Sequence, residues 1–191
     1  MKIIKLKDLE NPQIAKEVEE AIKRGDIIIH PTDTVYGIGC NVESDSSVKK
    51  IYEAKKRDPK KPFSVFVPSL DWVYEHCILS QVNKEFVKSL LPGPYTAVLK
   101  YKSVPKILES PEKTIGVRIV KNQFFDLARK LNVLFITTSL NISGEENVTK
   151  VENAPEELKQ ITGLAIDGGE LGFRASRVFD LTSDDIRILR Y

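Results

Sequence analysis

The stretch Ile27-Ile28-Ile29-His30-Pro31-Thr32-Asp33-Thr34-Val35-Tyr36-Gly37-Ile38-Gly39 decides how the chain is read. Three consecutive β-branched residues make a short strand buried on both faces. The polar run that follows lies at the carboxyl end of that strand, which in an open α/β sheet faces a ligand crevice. Pro31 sets the chain direction, and Gly37 and Gly39 are expected to let backbone approach a bound group. An ordinary turn, with Thr and Asp satisfying local amides, would use the same residues.

Upstream, Ile3, Ile4 and Leu6 suggest an opening strand. Asn11 and Pro12 form a helix start, Ile14, Ala15, Val18, Ala21 and Ile22 follow at helical spacing, and Gly25 ends the helix. Downstream, the spacing predicts a helix over 46–56, with Val48, Ile51 and Tyr52 facing inward, and a strand over 63–67. Helices near 70–77 and 82–91 stop at Leu91-Pro92-Gly93-Pro94. Strands are expected at 96–101, 114–120, 134–138, Leu164–Asp167, 177–181 and 186–189, with helices near 123–131 and 155–161. Strands and helices mix without strict alternation, and no linker or repeat divides them. The expectation is α/β: a single-domain twisted open mixed sheet flanked by helices, spanning 1–191.

A composition of 41% hydrophobic and 29% charged residues over 191 positions excludes a disordered, collagen-like or coiled-coil chain. No apolar run approaches the roughly 20 residues of a membrane helix, so no membrane association is expected. The start turns polar too soon for a signal peptide. Cys40 and Cys77 are in no metal spacing, which makes a reduced, cytoplasmic setting the expectation. The net charge is only +2, yet 49–61 carries seven Lys and Arg against Glu53 and Asp58, a local +5. A charge run of this kind is commonly a solvated face. Here Lys55 continues the apolar stripe of its helix, so it either snorkels to water or meets an anion.

His30 and His76 are the only histidines. No G-x-S-x-G elbow, Walker A sequence or G-x-G-x-x-G fingerprint occurs, so His-based, zinc and P-loop chemistry are poor fits. The polar loop residues that remain suit binding of phosphates and carboxylates. The run Leu134 to Gly144 is a buried strand that turns polar, and Ser139 and Asn141, two apart, share one side of an extended chain. Alternatively, Ser139, Asn141 and Ser143 cap a turn. Arg118, on an otherwise apolar strand, must find a carboxylate from the protein or from a ligand. Asp167-Gly168-Gly169 is a lesser signal.

Taken together and in order, these segments are specific. Pro31-Thr32-Asp33-Thr34-Val35-Tyr36-Gly37, Lys55-x-Arg57 with Lys61-Pro62, and Leu91-Pro92-Gly93-Pro94-x-Thr96 come first. Gly116-Val117-Arg118, Ser139-x-Asn141 with Ser143-Gly144, and Ser176-Arg177-Val178-Phe179-Asp180-Leu181 follow. The chain resembles the YrdC family, the threonylcarbamoyl-AMP synthases, from about residue 10 to Arg190.

The resemblance implies a YrdC-like fold with a concave, positively lined cavity. It implies a nucleotidyltransferase that makes an adenylate from L-threonine, bicarbonate and ATP with Mg2+ present, releasing pyrophosphate. A separate tRNA threonylcarbamoyl transferase would receive the product. Carried over by position, it implies a central tetrad of Lys55, Arg57, Ser139 and Asn141. ATP contacts would come from Arg57, Lys61, Thr114, Asn141, Thr149 and Arg190, and L-threonine contacts from Thr34, Arg118, Ser139 and Ser176. Protein side chains would supply no metal ligand.

Three departures stand out. Phe66 lies where some longer relatives carry a polar residue near threonine, Arg177 replaces a small hydroxyl residue, and the end at Tyr191 implies the short form without a further domain. Two other readings compete. One is a module binding tRNA or double-stranded RNA through 49–61, although no aromatic-and-basic stripe for base stacking is present. The other is a YciO-like paralogue with altered chemistry, against which Lys55-x-Arg57 and Ser139-x-Asn141 both argue.

Overall fold

Side chains alternate along the central strands, so each strand feeds two cores. Ile28, Phe66 and Phe135 belong to one cluster, and Ile29, Val65 and Ile136 to the other. The computed structural model describes residues 1–172 and 174–191. Its strands are β1 (Lys2–Lys5), β2 (Ile28–His30), β3 (Gly37–Gly39), β4 (Ser64–Phe66), β5 (Cys77–Ile78), β6 (Tyr95–Tyr101), β7 (Thr114–Arg118), β8 (Phe135–Ser139), β9 (Leu164–Asp167), β10 (Arg177–Asp180) and β11 (Arg187–Arg190). They form one mixed sheet in the order β1-β9-β2-β3-β8-β4-β7-β6-β10-β11, with β5 added beside β6. The expected open mixed sheet is the one observed.

The first face is covered by α1 (Pro12–Arg24) and α5 (Gln123–Lys130), whose Val18, Ile22, Phe124, Phe125 and Ala128 pack on Ile28, Phe66 and Phe135. The other face carries α2 (Asp45–Ala54), α4 (Gln81–Leu90) and α6 (Glu156–Ile161), through Val48, Ile51, Val87, Leu90 and Leu158. Helix α3 (Leu70–His76) joins it through Val73. The α1 caps act as the sequence indicates, with Asn11 accepting from the Gln13 amide and Gly25 closing the helix at φ 76°, and the structure adds a cap at Asn122, which accepts from the Phe125 amide. No helix among the described residues is long and apolar enough to cross a membrane.

Differences from the expected elements have local causes. Helix α2 stops at Ala54, Lys55 caps it, and Lys56 turns left-handed at φ 51°. Leu6 opens a 3-10 turn rather than continuing β1, and Asn153 closes another ahead of α6. β7 ends at Arg118, two residues early, and β11 is shifted to include Arg190.

The short strands β3 and β5 were not expected, and β3 corrects the reading of its glycines. A Cβ on Gly39 would lie 1.7 Å from the Ile136 carbonyl oxygen, and one on Gly37 would lie 2.5 Å from His30 Cε1. Gly39 thus admits neighbouring backbone, while Gly37 both makes room for the His30 ring and lines the hollow described below.

His30 explains the Gly37 requirement. Its ring stacks on Phe124 at 5.2 Å and meets the edges of Phe125 and Phe135 at 5.0 and 5.6 Å. Burial pushes its pKa down to about 3, so the imidazole stays neutral. An unfolded histidine titrates near 6.5, so between there and about 3 the unfolded chain binds a proton that the folded one refuses. Stability contributed by this group is therefore lost as pH falls through that window. Denaturant titrations from pH 7 to pH 4 should show a flatter loss for His30→Gln than for the wild type. Equal slopes would show that another group controls the acid response.

Candidate active site

The cavity exists because one stretch of the sheet lacks large side chains. In the ladder, Gly37 opposes Ser139, Thr137 opposes Ser64, and Ser64 opposes Gly116. A Cβ on Gly116 would come within 3.2 Å of Ser64 Oγ and 3.3 Å of Thr96 Cγ2, so three small residues form a continuous floor. Farther along the same strands, Phe66 and Phe135 fill the space beneath α5. The result is a hollow of about 110 Å³, open to solvent on one side, whose lining is mostly hydroxyl and guanidinium groups.

Arg57, Arg118 and Arg190 project to this hollow, and no carboxylate lines it among the described residues. Each is held differently. Arg57 donates through Nε to the Lys61 carbonyl at 2.9 Å and through Nη2 to the Pro62 carbonyl at 3.1 Å, with its guanidinium over Phe63. Arg190 donates to the Ser176 carbonyl at 2.8 and 2.9 Å and to Ser176 Oγ at 3.0 Å. Ser176 Oγ in turn shares a 2.8 Å hydrogen bond with Thr96. Arg118 pairs with Asp33 through Nη2. Burial lowers the pKa of all three, and Arg57 adds to the effect on Arg190.

Lys55 sits behind the wall and is 1% exposed. Its Nζ donates to the Ser139 and Asn141 carbonyls, both at 2.5 Å, and to Asn141 Oδ1 at 3.3 Å. Three oxygen acceptors match the three protons of an ammonium. Burial and the nearby Arg57 charge nonetheless push its pKa down to about 7. Ser139 Oγ donates to Asn141 Oδ1 at 2.5 Å, which leaves the serine lone pairs turned to the hollow. Asn141 Nδ2 donates to the Glu145 carbonyl at 2.7 Å, and the Ser143 amide donates to the Lys55 carbonyl at 3.0 Å.

The loop over 31–36 forms the opposite wall. Thr32 Oγ1 donates to the Val35 carbonyl at 2.7 Å and accepts from the Thr34 amide at 3.0 Å. Tyr36 Oη donates to the Gly169 carbonyl at 2.7 Å and accepts from the Gly168 amide at 2.9 Å. Asp167-Gly168-Gly169 thus anchors this loop from outside the cavity.

Six residues expected from the sequence therefore converge on one hollow: Thr34, Arg57, Arg118, Ser139, Ser176 and Arg190. Lys55 and Asn141 support it from behind. Lys61, Thr114 and Thr149 are not on its wall. The Lys61 side chain is exposed while its carbonyl holds Arg57, and Thr114 bonds Ser110 at the far end of β7. Thr149 accepts the Leu171 amide through its carbonyl. Phe66 is also off the wall, packed on Phe125 at 4.5 Å and beneath Arg129. The lining residues Ser64, Thr96, Thr137 and Thr138 were not singled out as ligand contacts, although Thr96 closes the Leu91-to-Thr96 motif.

The family model for Sua5, YciO and YrdC, described as "Telomere recombination", matches residues 20–191. The chain belongs to this family. A Methanocaldococcus jannaschii relative, named as a candidate threonylcarbamoyl-AMP synthase, is 31% identical across 100% of this chain and 91% of its own. Escherichia coli YciO is 30% identical over 95% of this chain, and its crystal structure superposes with a TM-score of 0.84 over 93% of this chain and 88% of that one. Pyrococcus abyssi Sua5 complexed with L-threonine is 29% identical with a TM-score of 0.78, covering 92% of this chain. This chain spans 54% of that Sua5 protein.

Within this candidate site, the Lys55 contacts imply a measurable cost of removal. Lys55→Met leaves the Ser139 and Asn141 oxygens without their donor, so folding stability should drop by about 3 kcal/mol in denaturant titration. An unchanged midpoint would mean that Lys55 is not the strut of this turn.

Proposed function

We propose that this protein makes L-threonylcarbamoyladenylate from L-threonine, bicarbonate and ATP with release of pyrophosphate. The convergence of Arg57, Arg118 and Arg190 with Thr34, Ser139 and Ser176 on one hollow carries this reading. Bicarbonate and the threonine amine combine with loss of water to give a carbamate. A carbamate oxygen then attacks the α-phosphorus of ATP, the bond to the bridging oxygen breaks, and pyrophosphate leaves. Both reacting groups are anionic, so guanidiniums aimed at them lower the barrier, and co-binding in one cavity supplies orientation. No side-chain nucleophile takes part, which fits a chain whose one histidine near the site is buried and neutral.

In this reading Arg57 and Arg190 meet the triphosphate. Arg118 takes the threonine carboxylate, while Thr34, Ser139 and Ser176 orient its amine and hydroxyl. Lys61 reaches phosphate only at the open side, since its side chain is exposed. Thr114 and Thr149 would touch ATP only where it extends beyond the hollow. Lys55 and Asn141 act as positioning residues for Ser139. Among the described residues no three His, Cys, Asp or Glu side chains cluster as a metal site, so Mg2+ accompanying ATP would be held by phosphate oxygens and water. The product would pass, in the cytoplasm, to a transferase that modifies tRNA.

The likeness to YciO keeps a paralogue with different chemistry in view, and the 49–61 charge keeps RNA binding in view. Pyrophosphate release that requires both L-threonine and bicarbonate separates the first of these from the synthase. Arg57→Ala should lower that release by at least about 100-fold. Its affinity for tRNA should stay within about threefold of wild type, because one phosphate contact contributes modestly to total binding. Undiminished turnover in Arg57→Ala, or none in the wild type with any amino acid, would overturn the proposal.

A further inference from the structure

The ion pair between Arg118 and Asp33 occupies the place that the proposed function gives to substrate. Arg118 offers a side-on fork, Nε–H together with Nη2–H, as the usual bidentate seat for a carboxylate. In this structure Asp33 takes Nη2 alone. Nε is buried and has no hydrogen-bond partner among the described residues. A guanidinium whose side chain is only 8% exposed thus holds one carboxylate oxygen on one tooth of its fork. Leaving a buried donor of this kind unmet is costly, and an incoming carboxylate taking both teeth would remove that cost. It would also need the Nη2 that Asp33 now holds.

Asp33 is placed to leave. Its side chain is 24% exposed, three times the exposure of its partner's. The backbone around it is stapled by the Thr32 hydroxyl to Thr34 and Val35, and the Pro31 carbonyl accepts from Asn122 at 3.0 Å. Release therefore needs only side-chain rotation. Asp33 lines an outer cleft that adjoins the hollow, with Thr34 and Ala175 common to both. Arg174 and Arg177 line that cleft too, so a released carboxylate enters a space already lined by cations. This gives Arg177, the residue standing where relatives carry a small hydroxyl, a charge to meet.

We propose that Asp33 holds the carboxylate seat of Arg118 in the free protein and that the substrate carboxylate displaces it, so that Asp33 sets the affinity for amino acid. This rests on the reading of the hollow as an L-threonine site. The exchange moves no proton and makes no covalent bond: one ion pair is broken and another forms. Asp33 thereby acts as an internal competitor that neutralises Arg118 until an α-carboxylate arrives.

Calorimetric titration of the full chain with L-threonine and with L-threoninamide, which lacks the carboxylate charge, tests the exchange. Asp33→Asn should bind L-threonine about tenfold more tightly than wild type and leave threoninamide binding unchanged. Asp33→Glu, which keeps the charge, should return L-threonine binding toward the wild-type value. Asp33→Ala, with melting temperature recorded for each variant, covers the case in which the Asn variant folds poorly. L-threonine binding that is unchanged or weaker in well-folded Asp33→Asn and Asp33→Ala would overturn the exchange while leaving the synthase reading intact. No L-threonine binding or L-threonine-dependent turnover in the wild type or any variant would overturn both.

Discussion

The site depends on a buried ammonium. Lys55 ends α2 and places Nζ against the carbonyls of Ser139 and Asn141, which lie at the polar end of β8. The reciprocal bond from the Ser143 amide to the Lys55 carbonyl closes the contact from the other side. An isolated ammonium could not remain at 1% exposure, because desolvation would expel it or remove its proton. Backbone and amide oxygens stand in for its hydration. They also fix the Ser139 hydroxyl, whose hydrogen is committed to Asn141. Lysine suits this place because three donors radiate from one atom, whereas the planar guanidinium of arginine would not.

From that strut the remaining geometry follows. With β8 held, the small residues Ser64, Gly116 and Thr96 on the adjoining strands leave the sheet bare, and the three arginines reach in from the end of β7, from β11 and from the turn after α2. Arg57 is the informative case. Its two carbonyl acceptors come from Lys61 and Pro62, and Tyr52 stacks on Phe63 at 4.0 Å beneath the same turn. The basic run of 49–61 is thereby divided by folding. Lys49, Lys50, Lys56, Lys60 and Lys61 are exposed, while Lys55 and Arg57 are turned inward.

Much of this was legible in residue types. An arginine on an apolar strand demands a partner and Asn-Pro begins a helix, so Arg118 and α1 could be read directly. Lys55 was expected to reach water or an anion, and the structure corrects this, since it is buried against neutral oxygens of Ser139 and Asn141. What escaped has a common character. The Lys61 contribution runs through its carbonyl, which every residue type possesses, so a basic side chain pointed to the wrong atom. The glycines of β3 admit Ile136 and His30, contacts across long sequence separations that no local pattern encodes. The floor is an absence of bulk, visible only once register sets Thr137 beside Ser64 and Ser64 beside Gly116. Asp33 and Arg118 lie 85 residues apart, and the sequence showed that Arg118 needs a carboxylate without saying which.

The charge balance of the hollow is the remaining constraint. Burial weakens the basicity of all three guanidiniums, the Arg57 charge adds to this at Arg190 and the Arg190 charge adds to it at Arg118, and among the described residues only Arg118 of the three has a carboxylate partner. Such a site is uncomfortable when empty, and each anion that enters relieves part of the repulsion and part of the desolvation. The relief is greatest where negative charge is greatest, at a triphosphate meeting a carbamate. Ligand binding and fold stability are therefore linked through the same groups. The neutral overall composition hides this, because acidic side chains on the outside cancel in number what they do not touch in space.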